Sequence, residues 1–167
     1  VLGIDPGAKG ALALNDAGYV TTHSMPRLDV TRGSGAKAEV DGHALRDLIV
    51  WLEPDVAYLE QVGGMEGQSA SASFNFGRAA AAAEYMLVGL GIPFVRVVPT
   101  VWKREMKVKA AKDDAKAIAM RRWPHAAKDF RNKRADFAEA ALISEYGRLD
   151  QIKQFLLKEK TNVGLFD

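Results

Sequence analysis

A chain of 167 residues, 48% of them hydrophobic, has room for one domain with a sizeable core and not for two comfortable ones. The absence of cysteine excludes a disulfide framework and thiolate metal sites, in keeping with a reducing compartment. The formal net charge of +2 is small, no apolar stretch reaches membrane-spanning length, and the N-terminus reads as a strand, so a soluble, cytoplasmic protein is expected. The first fourteen residues, VLGIDPGAKGALAL, predict an apolar strand carrying one acid, a glycine-rich turn and a second strand returning beside the first. Asp5 thereby stands in or at the end of a core strand, where an unpaired charge is expensive and something must compensate it. A metal ion and a phosphate would suit that place, and an ordinary hairpin cap accounts for an isolated Asp-Pro-Gly equally well.

Asn15 to Gly18 is a turn signal and Tyr19 to Met25 a third strand, so three antiparallel strands open the fold. Pro26 to Ala38 lacks a core pattern and predicts a mobile surface loop. Asp41 caps a helix running to about Leu52, with Leu45, Leu48, Ile49 and Leu52 on one face and Pro54 ending it. Val56 to Glu60 is a short strand that delivers a second acid at its end. A loop rich in glycine and serine leads to a helix from about Ser73 to Leu90. Its alanine run, Ala79 to Ala83, permits close approach by the sheet, by another helix or by a second copy. Phe94 to Val98 is a fifth strand, and the alternation of strands and helices argues for an α/β sheet with helices on its faces.

From Lys103 to Arg134 twelve cations face four acids, which leaves the remainder of the chain acidic. A field segregated in this way suits a polyanion, although a charge run is also what a solvated face looks like. Trp102, Trp123 and Phe130 interleave rings that either stack on bases or anchor helices. The last core helix is expected from about Asn132 to Tyr146, with Gly147 as its stop. In its sequence, RADFAEAALISEYG, Asp136 and Glu139 are three residues apart and share one face. Together with Asp5 and Glu60 they suggest carboxylates converging on a divalent ion, and hard oxygen donors favour Mg2+ or Mn2+ over zinc.

The order of strand-Asp, strand-Glu and an acidic pair three apart on a late helix resembles the RuvC-type Holliday junction resolvases of the RNase H-like superfamily. LGIDPGAKGALAL is similar to the family's opening strand pair, AYLEQVGGMEG to its second acidic strand, SASFNFGRAAAAAEYML to the long helix that follows, and RADFAEAALIS to its closing motif. The glycine-rich loop and the PxxWK segment are closer to the bacteriophage branch. Glu139 departs from the pattern, since the bacterial enzymes usually carry Asp there. The resemblance implies an RNase H-like fold: a five-stranded mixed sheet, three antiparallel strands then parallel ones, with helices on both faces. It would be one nuclease domain over residues 1–167, its core reaching about 147 and residues 148–167 forming a C-terminal extension.

The implied activity is Mg2+-dependent cleavage of Holliday junctions or other branched DNA, with Mn2+ able to substitute, leaving 5′-phosphate and 3′-hydroxyl ends. Asp5, Glu60, Asp136 and Glu139 would hold two metal ions. Lys112 would neutralise the scissile phosphate, with Lys116 the competing candidate. Lys103, Lys107, Lys109, Lys116 and Arg78 would bind DNA. The partners implied are branched DNA, four-way junctions above all, and a second copy in a homodimer, in a bacterial or phage-infected host cytoplasm. Two rival readings remain at this point. The GIDPGAKGA turn also resembles the first phosphate loop of actin-fold ATPases and sugar kinases, a fold that needs two such domains. A non-catalytic branched-DNA binding module on the same scaffold is the other.

Overall fold

A computed structural model of the chain describes residues 1–32, 35–63, 67–109, 113–132 and 134–163, with side chains excepted at 32, 35–37 and 159–163. The strands β1 (Leu2–Asp5), β2 (Ala11–Asp16) and β3 (Tyr19–Ser24) form an antiparallel meander; β6 (Ala57–Glu60) and β7 (Phe94–Val97) extend it in parallel. The resulting five-stranded sheet has the order β3-β2-β1-β6-β7, so the first strand sits at its centre. The expected mixed sheet is what the chain forms.

Strand alternation sends side chains to two cores. Leu2, Ile4, Leu12, Ala57 and Leu59 pack under α1 (Gly42–Leu52) and α2 (Ala70–Gly89), where Leu45, Ile49, Ala83 and Leu87 meet them. Asp41 caps α1 as expected, its carboxylate accepting from the backbone N–H groups of His43 and Ala44. The small face of α2 is used within this chain, since Ala83 is buried in the same cluster as Leu45 and Ile49. On the opposite face Ala11, Ala13 and Tyr58 pack under α6 (Ala135–Val163), together with α3 (Pro99–Glu105), α4 (Asp114–Arg122) and α5 (Ala127–Asn132).

Two expectations are corrected. The loop predicted over Pro26 to Ala38 is a hairpin of β4 (Arg27–Arg32) and β5 (Gly35–Val40), paired from Arg27↔Val40 to Arg32↔Gly35. Gly33 and Ser34 of the predicted loop lie outside the described residues, and Leu28, Val30 and Val40 supply the strand character that the composition obscured. The second correction is that α6 does not stop at Gly147. It continues to Val163, because this glycine is a contact and not a cap: a Cβ there would lie 2.4 Å from Cδ2 of the Tyr58 ring. Gly3 of β1 serves the same crossing, where a Cβ would lie 2.2 Å from the carbonyl oxygen of Ala140. Glycine at both points lets α6 lie directly against the centre of the sheet.

Candidate active site

Asp5 ends β1 and Glu60 ends β6. These strands are parallel neighbours in the register Gly3↔Tyr58 and Ile4↔Leu59, so the next residues, Asp5 and Glu60, come level on the α6 side of the sheet. Adjacent strands lie about 4.8 Å apart, which makes this a close pair of acids at the carboxyl ends of parallel strands. The close crossing at Gly3 brings α6 over the same point, and Asp136 stands one turn before Ala140, with Glu139 three residues further along.

The electrostatics follow from that convergence. Asp5 is only 9% exposed. Burial, reinforced by Glu60, Glu139 and Asp136, pushes its carboxyl well above the usual range, while Lys103 pulls the other way. Burial likewise raises Glu60, against a hydrogen bond from Trp102 and the charge of Lys103. Each remaining acid has a cation on it: Lys103 Nζ is 3.3 Å from Glu139 Oε1, and Arg134 Nε is 2.8 Å from Asp136 Oδ2. Asp5 and Asp136 open onto a cleft of about 690 Å³ lined also by Lys9, Gln68, Asn75 and Phe76.

Does this set of residues suit a divalent cation? The donors are hard carboxylate oxygens, and a buried acid crowded by three others is relieved when a dication replaces the proton that its environment favours. The chemistry fits Mg2+ or Mn2+. Among the described residues no three such side chains already surround one point. Lys103 and Arg134 engage Glu139 and Asp136 where an ion would otherwise claim them.

Other predicted residues are distributed more widely. Lys107 and Lys109 are exposed on the segment after α3, and Lys116 is half-buried on α4. Lys103, Arg104 and Lys109 line a further cleft of about 590 Å³ on the other side of Asp136 and Glu139. Arg78 is held by Glu39 of β5 through two bonds of 3.1 and 3.0 Å, strapping the β4–β5 hairpin to α2. Lys112 lies outside the described residues. Of the three rings, Trp102 and Phe130 have no exposure and Trp123 only 3%, so all three anchor the core and none is offered to a base. Sequence reasoning missed the role of Trp102, whose Nε1 donates to Glu60 Oε1 at 2.8 Å.

No protein-family model and no curated protein sequence matches the chain. Solved structures do. Thermus thermophilus RuvC in complex with a Holliday junction substrate superposes with a TM-score of 0.58 at 11% identity, over 87% of this chain and 90% of that one. The fold is that of RuvC. A second structure of Thermus thermophilus RuvC aligns at 0.53 and 16% identity, covering 89% of this chain and 95% of the other. The likeness therefore spans nearly all of both chains. The acidic end of the sheet is a feature of this chain's own RuvC fold, built from β1, β6 and the start of α6.

Proposed function

We propose that the chain is a metal-dependent, structure-specific endodeoxyribonuclease of the RuvC type that cleaves Holliday junctions or other branched DNA. The observation that carries this is the meeting of Asp5, Glu60, Asp136 and Glu139 at one end of the sheet, where burial first and the three other acids after it raise Asp5. Acids that repel each other at a buried site make sense when a dication and a phosphate share it. Asp5, Glu60, Asp136 and Glu139 would hold Mg2+, or Mn2+ in its place. When bound, such ions supply Lewis acidity and an activated water for phosphodiester hydrolysis, with 5′-phosphate and 3′-hydroxyl ends. Lys103 offsets part of the acidic charge, and the exposed Lys107 and Lys109, with Lys116 on the neighbouring helix, would carry the DNA backbone. Lys112, or failing it Lys116, would face the scissile phosphate. A homodimer acting in the cytoplasm would match the twofold symmetry of a junction, and the bacteriophage branch is the family placement we favour. We take residues 1–167 as one nuclease domain.

One observation favours a second reading, a binding module without catalysis: the acids do not form a ready cage among the described residues. A cleavage panel of linear, forked, flapped and four-way DNA in Mg2+ separates the two. Cleavage of branched DNA by the wild type, lost in Asp5→Asn and Asp136→Asn with binding retained, supports the nuclease. Tight binding of branched DNA with no cleavage in Mg2+ or Mn2+ would leave the module.

A further inference from the structure

On the far side of the β1–β2 turn from Asp5 lies another cleft, of about 370 Å³, whose lining includes Lys9, Arg27, Arg134, Ser24, Asn132 and Phe137 and, among the described residues, no carboxylate. Its cations come from separate elements: the turn, the start of β4 and the approach to α6. Arg134 is committed elsewhere, its Nε to Asp136 and its Nη2 to the carbonyl oxygen of Lys9. That double engagement ties the Lys9 turn to the acid-bearing end of α6. Lys9 and Arg27 are exposed, and among the described residues neither has a carboxylate partner.

Cations brought to one concave place repel one another, and an anion with several acceptor oxygens removes the repulsion. The Ser24 hydroxyl and the Asn132 amide add neutral donors on the same wall. Ala8, Lys9 and Gly10 line this cleft and the acidic one alike, so the two are separated only by the thickness of the turn. A nucleic-acid strand whose scissile phosphate lies over Asp5 and Asp136 would pass a neighbouring phosphate across Lys9. We infer that Lys9 and Arg27 form a phosphate subsite that grips the cleaved strand beside the scissile linkage, an inference that rests on the nuclease reading above. It assigns to the turn and the β4–β5 hairpin a positioning role in addition to the basic segment after α3.

The test is a scan of single neutral methylphosphonate linkages along the cleaved strand of a four-way junction, with affinities measured in Ca2+ for the wild type, Arg27→Gln and Lys9→Gln. In the wild type, neutralising one linkage next to the cleavage point should weaken binding by about tenfold, more than at its neighbours. In either variant that particular penalty should vanish while the others persist. Both residues are exposed, and unchanged melting temperatures confirm that folding is intact. A penalty profile identical in wild type and both variants, or one spread evenly over the linkages, overturns the subsite while leaving the nuclease reading in place. A wild type that neither binds nor cuts branched DNA removes both.

Discussion

The indole of Trp102 on α3, wholly buried, donates a 2.8 Å hydrogen bond to the carboxylate of Glu60, 42 residues away at the end of β6. The bond fixes one oxygen, Oε1, of a partly exposed acid from the protein side. Trp102→Phe keeps most of the packing and removes the donor. Single-turnover cleavage of branched DNA should fall about tenfold and the Mg2+ concentration for half-maximal rate should rise, with junction affinity unchanged, the loss corresponding to one charge-assisted hydrogen bond. A metal titration that superposes on the wild type would reduce Trp102 to packing alone.

Asp5 should cost the apo-protein stability. Its carboxyl is buried among three other acids, so replacing it with a neutral isostere removes repulsion without creating a cavity. In the presence of a chelator, Asp5→Asn should melt about 2–4 °C above the wild type, the scale of roughly 1 kcal/mol for a chain of this size. Adding Mg2+ should then raise the wild type's melting temperature and leave the variant's nearly unmoved. Scanning calorimetry of the two proteins with and without metal reads both effects, and a variant less stable than wild type in chelator would contradict the electrostatic picture.

Gly147→Ala sets helix propensity against packing. On an exposed helix the change would stabilise by about 1 kcal/mol. Here the added methyl meets the Tyr58 ring, which has no exposure and whose hydroxyl is held by Asp150 and Gln151 at 2.7 and 2.8 Å. The ring cannot step aside cheaply, so the variant should lose about 1–3 kcal/mol in urea unfolding. Tyr58→Ala in the Gly147→Ala background should show no further penalty from the methyl, which makes the two substitutions strongly non-additive.

Glu145 gives the fold an acid limit. It is 2% exposed in the α6 core, and burial alone would push its carboxyl up. Hydrogen bonds from Arg148, Arg122 and Asn15 outweigh burial and hold it at about 2, below the ordinary 4.5. A group held below its unfolded value contributes stability that is complete above about pH 4.5 and is lost as pH falls through about 2. The contribution is about 3 kcal/mol at neutral pH. Urea melts of wild type and Glu145→Gln should therefore differ by roughly that amount at pH 7 and converge as pH falls from about 4.5 toward 2.

The acids at strand ends were legible because a β-strand's apolar alternation makes a terminal carboxylate conspicuous, as at Asp5 and Glu60. Asp136 and Glu139 were legible through helical spacing alone. Glu145 was not, since an acid on a helix looks ordinary until Arg122 arrives from another helix and Asn15 from β2. The same limit hid Trp102, whose partner is distant in sequence, and it turned Gly147 into an apparent helix stop. Local rules read glycine as an ending; the Tyr58 ring that requires it lies 89 positions earlier, known only from the assembled sheet. The β4–β5 hairpin was obscured by its turn composition, and so was the pairing of Arg78 with Glu39, 39 positions earlier on that hairpin.

Gly3 and Gly147 together deny α6 any freedom to roll. The helix is seated on β1 through Ala140 and Ser144 and on β6 through the Tyr58 ring, so its angular setting is decided by residues that take no part in chemistry. A helix advances about 100° per residue. One residue inserted between Asp136 and Ala140 would keep every core contact downstream and swing the acid away from Asp5, yielding a folded protein with a misaimed site. The same insertion beyond Gln151, past the last bond to Tyr58, would leave that aim untouched. The sheet thus acts as an indexing plate for the helix, and the acids are aimed by where two glycines allow it to rest.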